Sequence, residues 1–302
     1  MQPLFEENHD LVAASAVDAL ADFFGRHRGI VVLSGAGIST ASGIPDYRGR
    51  DGVRRGKTPV QGPEFRKFAA VRQRYWARSM IGYATMARAT PNPAHLALAR
   101  LQAAGHLSPL MTQNVDGLHQ RAGSSAVLEL HGSIHEVVCL DCHAQFSRAS
   151  VQQMLVEDNP AHGGLLAASA PDGDAHVEPA DLARFVVPHC PHCGGVLKPD
   201  VVFFGDGVAT AVTLEAVRRV EQAEALLVVG SSLMVFSGFR FCRMAAAAGK
   251  PIAAINLGIT RADDLFSLKI DAAAGQVLPA LAALIAPPSS PLHALAHTKE
   301  YP

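Results

Sequence analysis

Two kinds of chemistry stand out in the sequence at short range. The first is thiolate chemistry. Cys139-x-x-Cys142 and Cys190-x-x-Cys193 sit in turn-rich sequence, around Leu140-Asp141 and Pro191-His192. Four thiolates brought together make a closed tetrahedral shell, the arrangement of a structural zinc with no open position for catalysis. The 47 residues between the pairs exceed the usual zinc-ribbon gap. Even so, two pairs in one segment suit a four-cysteine cage better than a redox dithiol or inert cysteines. His143, His189 and His192 lie nearby and are not needed as ligands, while Cys242 reads as a small buried hydrophobe in a helical stretch.

The second is anion binding. Residues 30–33 form a continuous apolar run of the kind buried in a parallel sheet. The run leads into Ser34-Gly35-Ala36-Gly37, where the backbone can turn tightly and approach a ligand with no side chain intervening. Ser39 or Thr40 is placed to cap a following helix. The expectation is therefore strand, glycine turn and helix start, which aims amide N–H groups and the positive helix end at a phosphate. A hydride-transfer fingerprint is not met. Thr40 stands where a third glycine or alanine is wanted, and the region about 20 residues on reads Arg54-Arg55-Gly56-Lys57, not an acidic ribose ligand.

Two further polar clusters close short apolar runs. Residues 109–112 end in Gln113-Asn114-Val115-Asp116, and residues 127–130 end in His131-Gly132. The carboxyl ends of parallel strands are where open α/β sheets place their ligands. A histidine there, with an unperturbed pKa near 6.5, suits general-base work at neutral pH.

The elements that must position these groups alternate along the chain. Helices are expected at 11–27, 63–89, 91–104, 211–221, 235–248 and 276–285. Strands are expected at 30–33, 109–112, 127–130, 198–205, 225–229, 251–255 and 268–270. That alternation is the pattern of an α/β fold, a Rossmann-like doubly wound parallel sheet, with a smaller zinc-binding and helical domain inserted. Residues 1–50, 91–137 and 198–286 would form the large domain. Residues 51–90 and 138–197 would form the small one, and 287–302 a loose tail. From Arg48 to Arg78 there are ten Lys/Arg against Asp51 and Glu64; this basic segment is either a solvated face or a partner for an anionic ligand. Residues 159–179 read as a loop of low order.

Composition sets the outer bounds. With 26 Lys/Arg against 27 Asp/Glu, the chain carries no charge excess that would argue for nucleic acid or a membrane surface. No apolar run approaches the roughly 20 residues needed to span a bilayer. The first residues, with Glu6, Glu7 and Asp10, resemble neither a secretory nor an organellar leader, so a cytoplasmic protein is expected.

Taken in order, Gly-Ala-Gly-Ile-Ser (35–39), Gly-Ile-Pro-Asp-Tyr-Arg (43–48), Thr-Gln-Asn-Val-Asp (112–116), His-Gly (131–132), the two C-x-x-C pairs, Val-Val-Phe-Phe-Gly (201–205), Gly-Ser-Ser (230–232) and Asn-Leu-Gly (256–258) form a series. That series resembles the sirtuins, the NAD-dependent protein lysine deacylases, over about residues 11–285. The wording of residues 43–48, of Arg-Gln-Arg-Tyr-Trp-Ala-Arg (72–78) and of residues 198–206 is similar to the class II branch, which includes bacterial members.

The resemblance implies NAD as co-substrate, one structural zinc, and an acyl-lysine protein or peptide as substrate. Gly35, Ala36, Gly37, Ser39, Asp46, Tyr47 and Arg48 would hold the pyrophosphate and close over the nicotinamide ribose. Gln113, Asn114, Val115 and Asp116 would bind ribose and nicotinamide, Asn114 taking part in catalysis. Gly230, Ser231, Ser232, Asn256, Leu257, Gly258 and Ala274 would hold the rest of the dinucleotide. Val201, Val202 and Phe203 would pair with the substrate backbone and line the acyl-lysine tunnel, and His131 would be the general base. Tyr75-x-x-Arg78 has the form of a reader of acidic acyl groups, and equally that of helix packing. Alternatives on the same scaffold are a mono-ADP-ribosyltransferase and a non-catalytic NAD or ADP-ribose sensor. Acyl preference, protein substrates and oligomeric state stay open at this level.

Overall fold

The computed structural model describes residues 3–54, 59–162 and 184–287. Six short strands form one parallel sheet: β1 (Val31–Ser34), β2 (Met111–Thr112), β3 (Leu128–Glu129), β7 (Leu226–Val229), β8 (Ile252–Ile255) and β9 (Leu268–Ile270), in the order β3-β2-β1-β7-β8-β9. β1, β7 and β8 are buried at every position, as expected of strands covered on both faces. One core cluster packs α1 (Pro3–Arg26), α4 (Pro93–Ala103) and α9 (Ala274–Ile285) on one face of the sheet. A second packs α7 (Thr210–Gln222) and α8 (Phe236–Ala247) on the other. Strand order reverses between β1 and β7, which is where a doubly wound sheet opens a crevice.

The second sheet is antiparallel and was only partly legible beforehand. β4 (Gly132–Cys139) pairs with both β5 (Gln145–Ser147) and β6 (Leu197–Val201). Strand β6 was expected to return to the parallel sheet; instead it is bonded to β4, so residues 197–201 belong to the smaller unit. The segment between the C-x-x-C pairs also holds α6 (Arg148–Asp158), opened by the Ser147 side chain accepting from Ser150 N–H. α2 (Gly62–Lys67) and α3 (Ala69–Arg88) share one apolar core with this sheet, centred on Phe65, Trp76, Val137 and Leu197. The expected loop at 159–179 falls mostly outside the described residues. Asn159 itself is buried and bonded to Leu155 O and to both backbone polar groups of Val186. Of the expected tail, 288–302 lies outside the described residues.

No α-helix follows Gly37. Two 3-10 turns, Ala36–Ile38 and Thr40–Ser42, carry the chain instead, and neither Ser39 nor Thr40 caps them. Ser39 Oγ donates to Asp116 Oδ2 at 2.7 Å, and Thr40 Oγ1 to Gly37 O. The competing partners supply the reason: Asp116 offers the serine a charged acceptor, which is a stronger bond than a cap. The expected helix dipole is therefore absent at the glycine turn.

Beneath the crevice lies a buried polar chain. Ser34 Oγ donates to Thr112 Oγ1, so it accepts from His119 Nε2 at 2.7 Å. His95 Nδ1 accepts from Asn92 N–H, and the two imidazoles meet edge to face, 4.9 Å between centroids. An Nδ1 that accepts an N–H is unprotonated, so the bond fixes His95 as a neutral ring, while His119 carries its proton on Nε2. Burial pushes His119 down to about 3 and His95 to about 4, with Asp116 partly opposing the shift at His95. Unfolded histidine titrates near 6.5, so on acidification the unfolded chain takes up protons first. Stability from this pair is complete above pH ~6.5 and is lost progressively toward pH 4, by up to about 1.4 kcal/mol per pH unit per ring. The urea midpoint should fall between pH 6.5 and 5, and fall less steeply in His119→Gln. Equal slopes for the two proteins over that window would refute the assignment.

Candidate active site and metal centre

A cleft of about 520 Å³ opens at the carboxyl ends of β1 and β7, between the parallel sheet and the smaller unit. That size lies within the range of small-molecule and cofactor sites, about 300–1,000 Å³. Its floor is backbone. Gly35 N–H donates to Val229 O and Gly37 N–H to Gly230 O. A Cβ on Gly37 would stand 2.9 Å from Gly230 O, and one on Gly230, whose φ is +59°, would stand 2.3 Å from Ile38 N. Gly35 itself lies behind the wall, where a Cβ would strike Ser231. Gly258 also sits behind it, so close under Arg50 O that a side chain is excluded.

The other expected dinucleotide contacts line the cleft: Ala36, Gly37, Ser39, Asp46, Tyr47, Arg48, Gln113, Asn114, Val115, Asp116, Gly230, Ser231, Ser232, Asn256, Leu257 and Ala274. They are held by one another. Asn114 Nδ2 donates to Gly35 O and Ser39 Oγ, and Ser231 Oγ donates to Gln113 Oε1. Gln113 Nε2 is buried with no acceptor, a donor still to be satisfied. A floor without side chains, the unpaired Gln113 amide, the buried Asp116 carboxylate and the Arg48 guanidinium form a polar lining that fits a dinucleotide.

His131 follows β3 and enters the cleft beside these groups. Its Nδ1 lies 2.8 Å from Gln113 O, and its Nε2 lies 2.8 Å from Ser237 Oγ. Burial lowers its pKa below the ordinary value; the Gln113 carbonyl pulls the other way, and the Arg240 charge adds to the lowering. The lowering favours the neutral ring. Val201, Val202 and Phe203 form part of the opposite wall. β6 is an edge strand, bonded only to β4 in its sheet, so its other edge is open to pairing.

Tyr75 and Arg78 do not line the cleft. Both are buried on α3, where the Tyr75 ring packs edge-on against Phe65 and, 5.2 Å away, Phe203. Phe203 occupies the wall and Tyr75 supports it from behind. Of the two readings of this motif, packing is the one the geometry carries. Sequence reasoning missed Ser237 and Arg240, both on the first turns of α8 and both in the cleft wall. Their signal was faint: a serine three residues before an arginine on a helix that starts soon after the Gly230-Ser231-Ser232 turn.

The four cysteines converge. Their sulfurs all lie within 4.8 Å of one another, with Cys139–Cys193 at 3.6 Å and Cys142–Cys190 at 3.7 Å. Tetrahedral Zn–S bonds of about 2.3 Å require sulfurs about 3.8 Å apart, so the cage fits zinc. Each knuckle turns on a residue in the left-handed region just after its second cysteine, His143 (φ +60°) and Gly194 (φ +74°). The cage lies at the far end of β4 from His131 and closes the small sheet where β4 leaves β6.

Known proteins resemble this chain closely. Residues 35–237 match the model of the Sir2 family. A protein of Pseudomonas syringae pv. tomato named NAD-dependent protein deacetylase 3 is 54% identical over 256 residues, 84% of this chain and 91% of its own length. An NAD-dependent protein deacetylase of Bordetella bronchiseptica is 51% identical over 264 residues, covering 87% and 96%. Among solved structures, a Sir2 with p53 peptide and NAD+ superposes with a TM-score of 0.71 at 28% identity, over 88% of this chain and 97% of that one.

One zinc per chain is expected from metal analysis of the purified protein. Cys142→Ser should lose it and lower the melting temperature by about 10 °C or more, since structural zinc in small modules supplies on the order of 10 kcal/mol of folding free energy. A metal-free variant melting with the parent would show that the cage is not structural.

Proposed function

The chain belongs to the Sir2 family, and from that premise we propose that it is an NAD-dependent protein lysine deacylase. The observation that carries the reading is the convergence, in one cleft, of a glycine floor, a neutral imidazole and the free edge of β6. The relatives named above are deacetylases, which favours acetyl-lysine among acyl groups.

When bound, NAD supplies an electrophilic ribose carbon that takes the acyl oxygen as nicotinamide departs; one water, admitted after nicotinamide has left, then adds to the acyl carbon, and the products are free lysine, nicotinamide and O-acyl-ADP-ribose. The chain's own residues do the rest. Gly37, Gly230 and Ser231 let the backbone approach the dinucleotide. Asn114 and Asp116, fixed by Ser39, orient the nicotinamide ribose. Tyr47 and Arg48, on the loop over the cleft, keep water from the reacting carbon. The free edge of β6 pairs with the substrate backbone, as an added strand does, and Phe203 walls the acyl chain. His131 Nε2 receives the proton of a ribose hydroxyl, directly or through its neighbour.

The same reading sets the domains: a dinucleotide-binding module built on the parallel sheet, a helical and zinc-bearing module, and the substrate between them. The partner is a protein or peptide, with neither nucleic acid nor membrane involved. Among the described residues no helix is long and apolar enough to cross a membrane. A cytoplasmic setting suits four reduced thiolates.

An acetyl-lysine peptide incubated with NAD should yield nicotinamide and O-acetyl-ADP-ribose in equal amounts. His131→Ala should lower kcat by about 10²-fold or more while NAD still binds. Adenylate-side label retained on protein would point to ADP-ribosyl transfer. Tight NAD binding with no nicotinamide released by the parent enzyme would point to a sensor.

A further inference from the structure

The hydrogen bonds of His131 determine where its lone pair lies. A backbone carbonyl can only accept, so the 2.8 Å contact with Gln113 O places the ring proton on Nδ1. Nε2 is then a bare acceptor, and the group 2.8 Å from it is the Ser237 hydroxyl, which must donate. Ser237 and Arg240 stand one turn apart on α8 and share a face. Arg240 is itself anchored: one Nη donates to Thr213 Oγ1 on α7, and its guanidinium packs over the Phe241 ring at 4.9 Å. Among the described residues it has no carboxylate partner, so its charge is not cancelled locally.

We propose that Ser237 and Arg240 are a pair of positioning residues that hold the His131 imidazole neutral, with Nε2 aimed at the reacting ribose. The inference rests on the reading of His131 as the base. Ser237 acts by donating to the lone pair: its hydroxyl occupies the place the ribose hydroxyl takes, and it keeps the ring from rotating while the site is open. Arg240 acts through space, because a cation beside the ring disfavours a second positive charge. The other elements bring few charges to bear. Beyond β2, Asp116 accepts from Ser39 and the Leu118 N–H. After β6, Asp206 is paired with Arg66 at 2.7 Å. On the loop over the cleft, Arg48 donates to Gly52 O, and Asp46 lines the same cleft. Burial lowers the ring's pKa most, and the Arg240 charge adds to that.

The sign follows. A base titrating below 6.5 keeps kcat/KM level as pH falls to that value, and the rate drops only beneath it. Removing either helper stabilises the imidazolium and moves the acid limb upward. The experiment is the pH profile of kcat/KM for NAD from pH 5 to 9 with a saturating acetyl-lysine peptide, which reports the enzyme before the ribose reaches His131. It is run on the parent, Ser237→Ala, Ser237→Thr, Arg240→Gln and Arg240→Lys, with the pKa of the His131 ring read in parallel by NMR. The acid limb and the ring pKa should rise together by about 0.4–1 pH unit in Ser237→Ala, the equivalent of one ordinary hydrogen bond. A rise is likewise expected in Arg240→Gln, with both returning toward the parent in Ser237→Thr and Arg240→Lys. A lower rate with an unmoved limb and an unmoved ring pKa would overturn the proposal and leave these residues structural. An acid limb in the parent that does not follow the ring pKa would instead overturn His131 as the base. Should the variants be inactive, the ring pKa alone decides.

Discussion

Everything at this site depends on how closely the chain can pass itself between β1 and β7. Gly37 and Gly230 meet backbone to backbone, and Gly35 lies against Ser231, at distances where any Cβ would collide. The contact is sealed by Gly35 N–H to Val229 O and Gly37 N–H to Gly230 O. Two strand ends that would otherwise be separated by side chains therefore make one continuous floor. A loop that left through a helix would have carried the chain away from β7. The 3-10 turns keep it there, which is why the expected helix N-terminus is absent.

The floor in turn rests on buried polar groups. Thr112 Oγ1 accepts from Ser34 Oγ and from Asn114 N–H, and Ser34 accepts from His119. Removing one member of such a chain leaves another polar atom buried and unsatisfied, a loss larger than the net worth of the bond itself. The chain couples β1 to β2 at Thr112, two residues before Asn114, and the Asn114 side chain returns to Gly35 O and Ser39. The angle at which Asn114 enters the cleft is thus set by groups that never touch a ligand. Two neutral imidazoles are part of that support, so acid weakens the scaffold beneath the site.

The sequence was most readable where one local rule decided the outcome. Fully buried strands such as 226–229 and 252–255 announce themselves as apolar runs, and the C-x-x-C knuckles require nothing beyond their own turns. It was least readable where a long-range partner decided. Lys198–Val201 has the composition of a parallel strand, yet β4 claims it, and β4 itself was hidden because Gly132–Cys139, read GSIHEVVC, lacks strict polar–apolar alternation and runs into a conspicuous metal motif. Ser39 looked like a cap until Asp116, 77 residues away, supplied a better acceptor. Tyr75 and Arg78 carried a suggestive spacing, but no α3 residue lines the cleft, and Phe65 and Phe203 take the Tyr75 ring. Ser237 escaped because nothing in its own neighbourhood marks it; only the position of His131 does.

His131 also explains why the two units must act as one. Its side chain is bonded to the large unit, at Gln113 O and Ser237, while its own carbonyl accepts from Val202 N–H just beyond β6. The next residue, Gly132, opens β4 and pairs with Val201, at a φ of +76° with no room for a side chain beside Asp200 O. His131 and the end of β6 are therefore separated by a single hydrogen bond, and the four-cysteine cage lies at the other end of β4. A zinc in the cage would clamp β4 to β6 at the end remote from His131, where Cys139 pairs with Leu197. A metal that touches no reactant can in this way govern the alignment of substrate with imidazole.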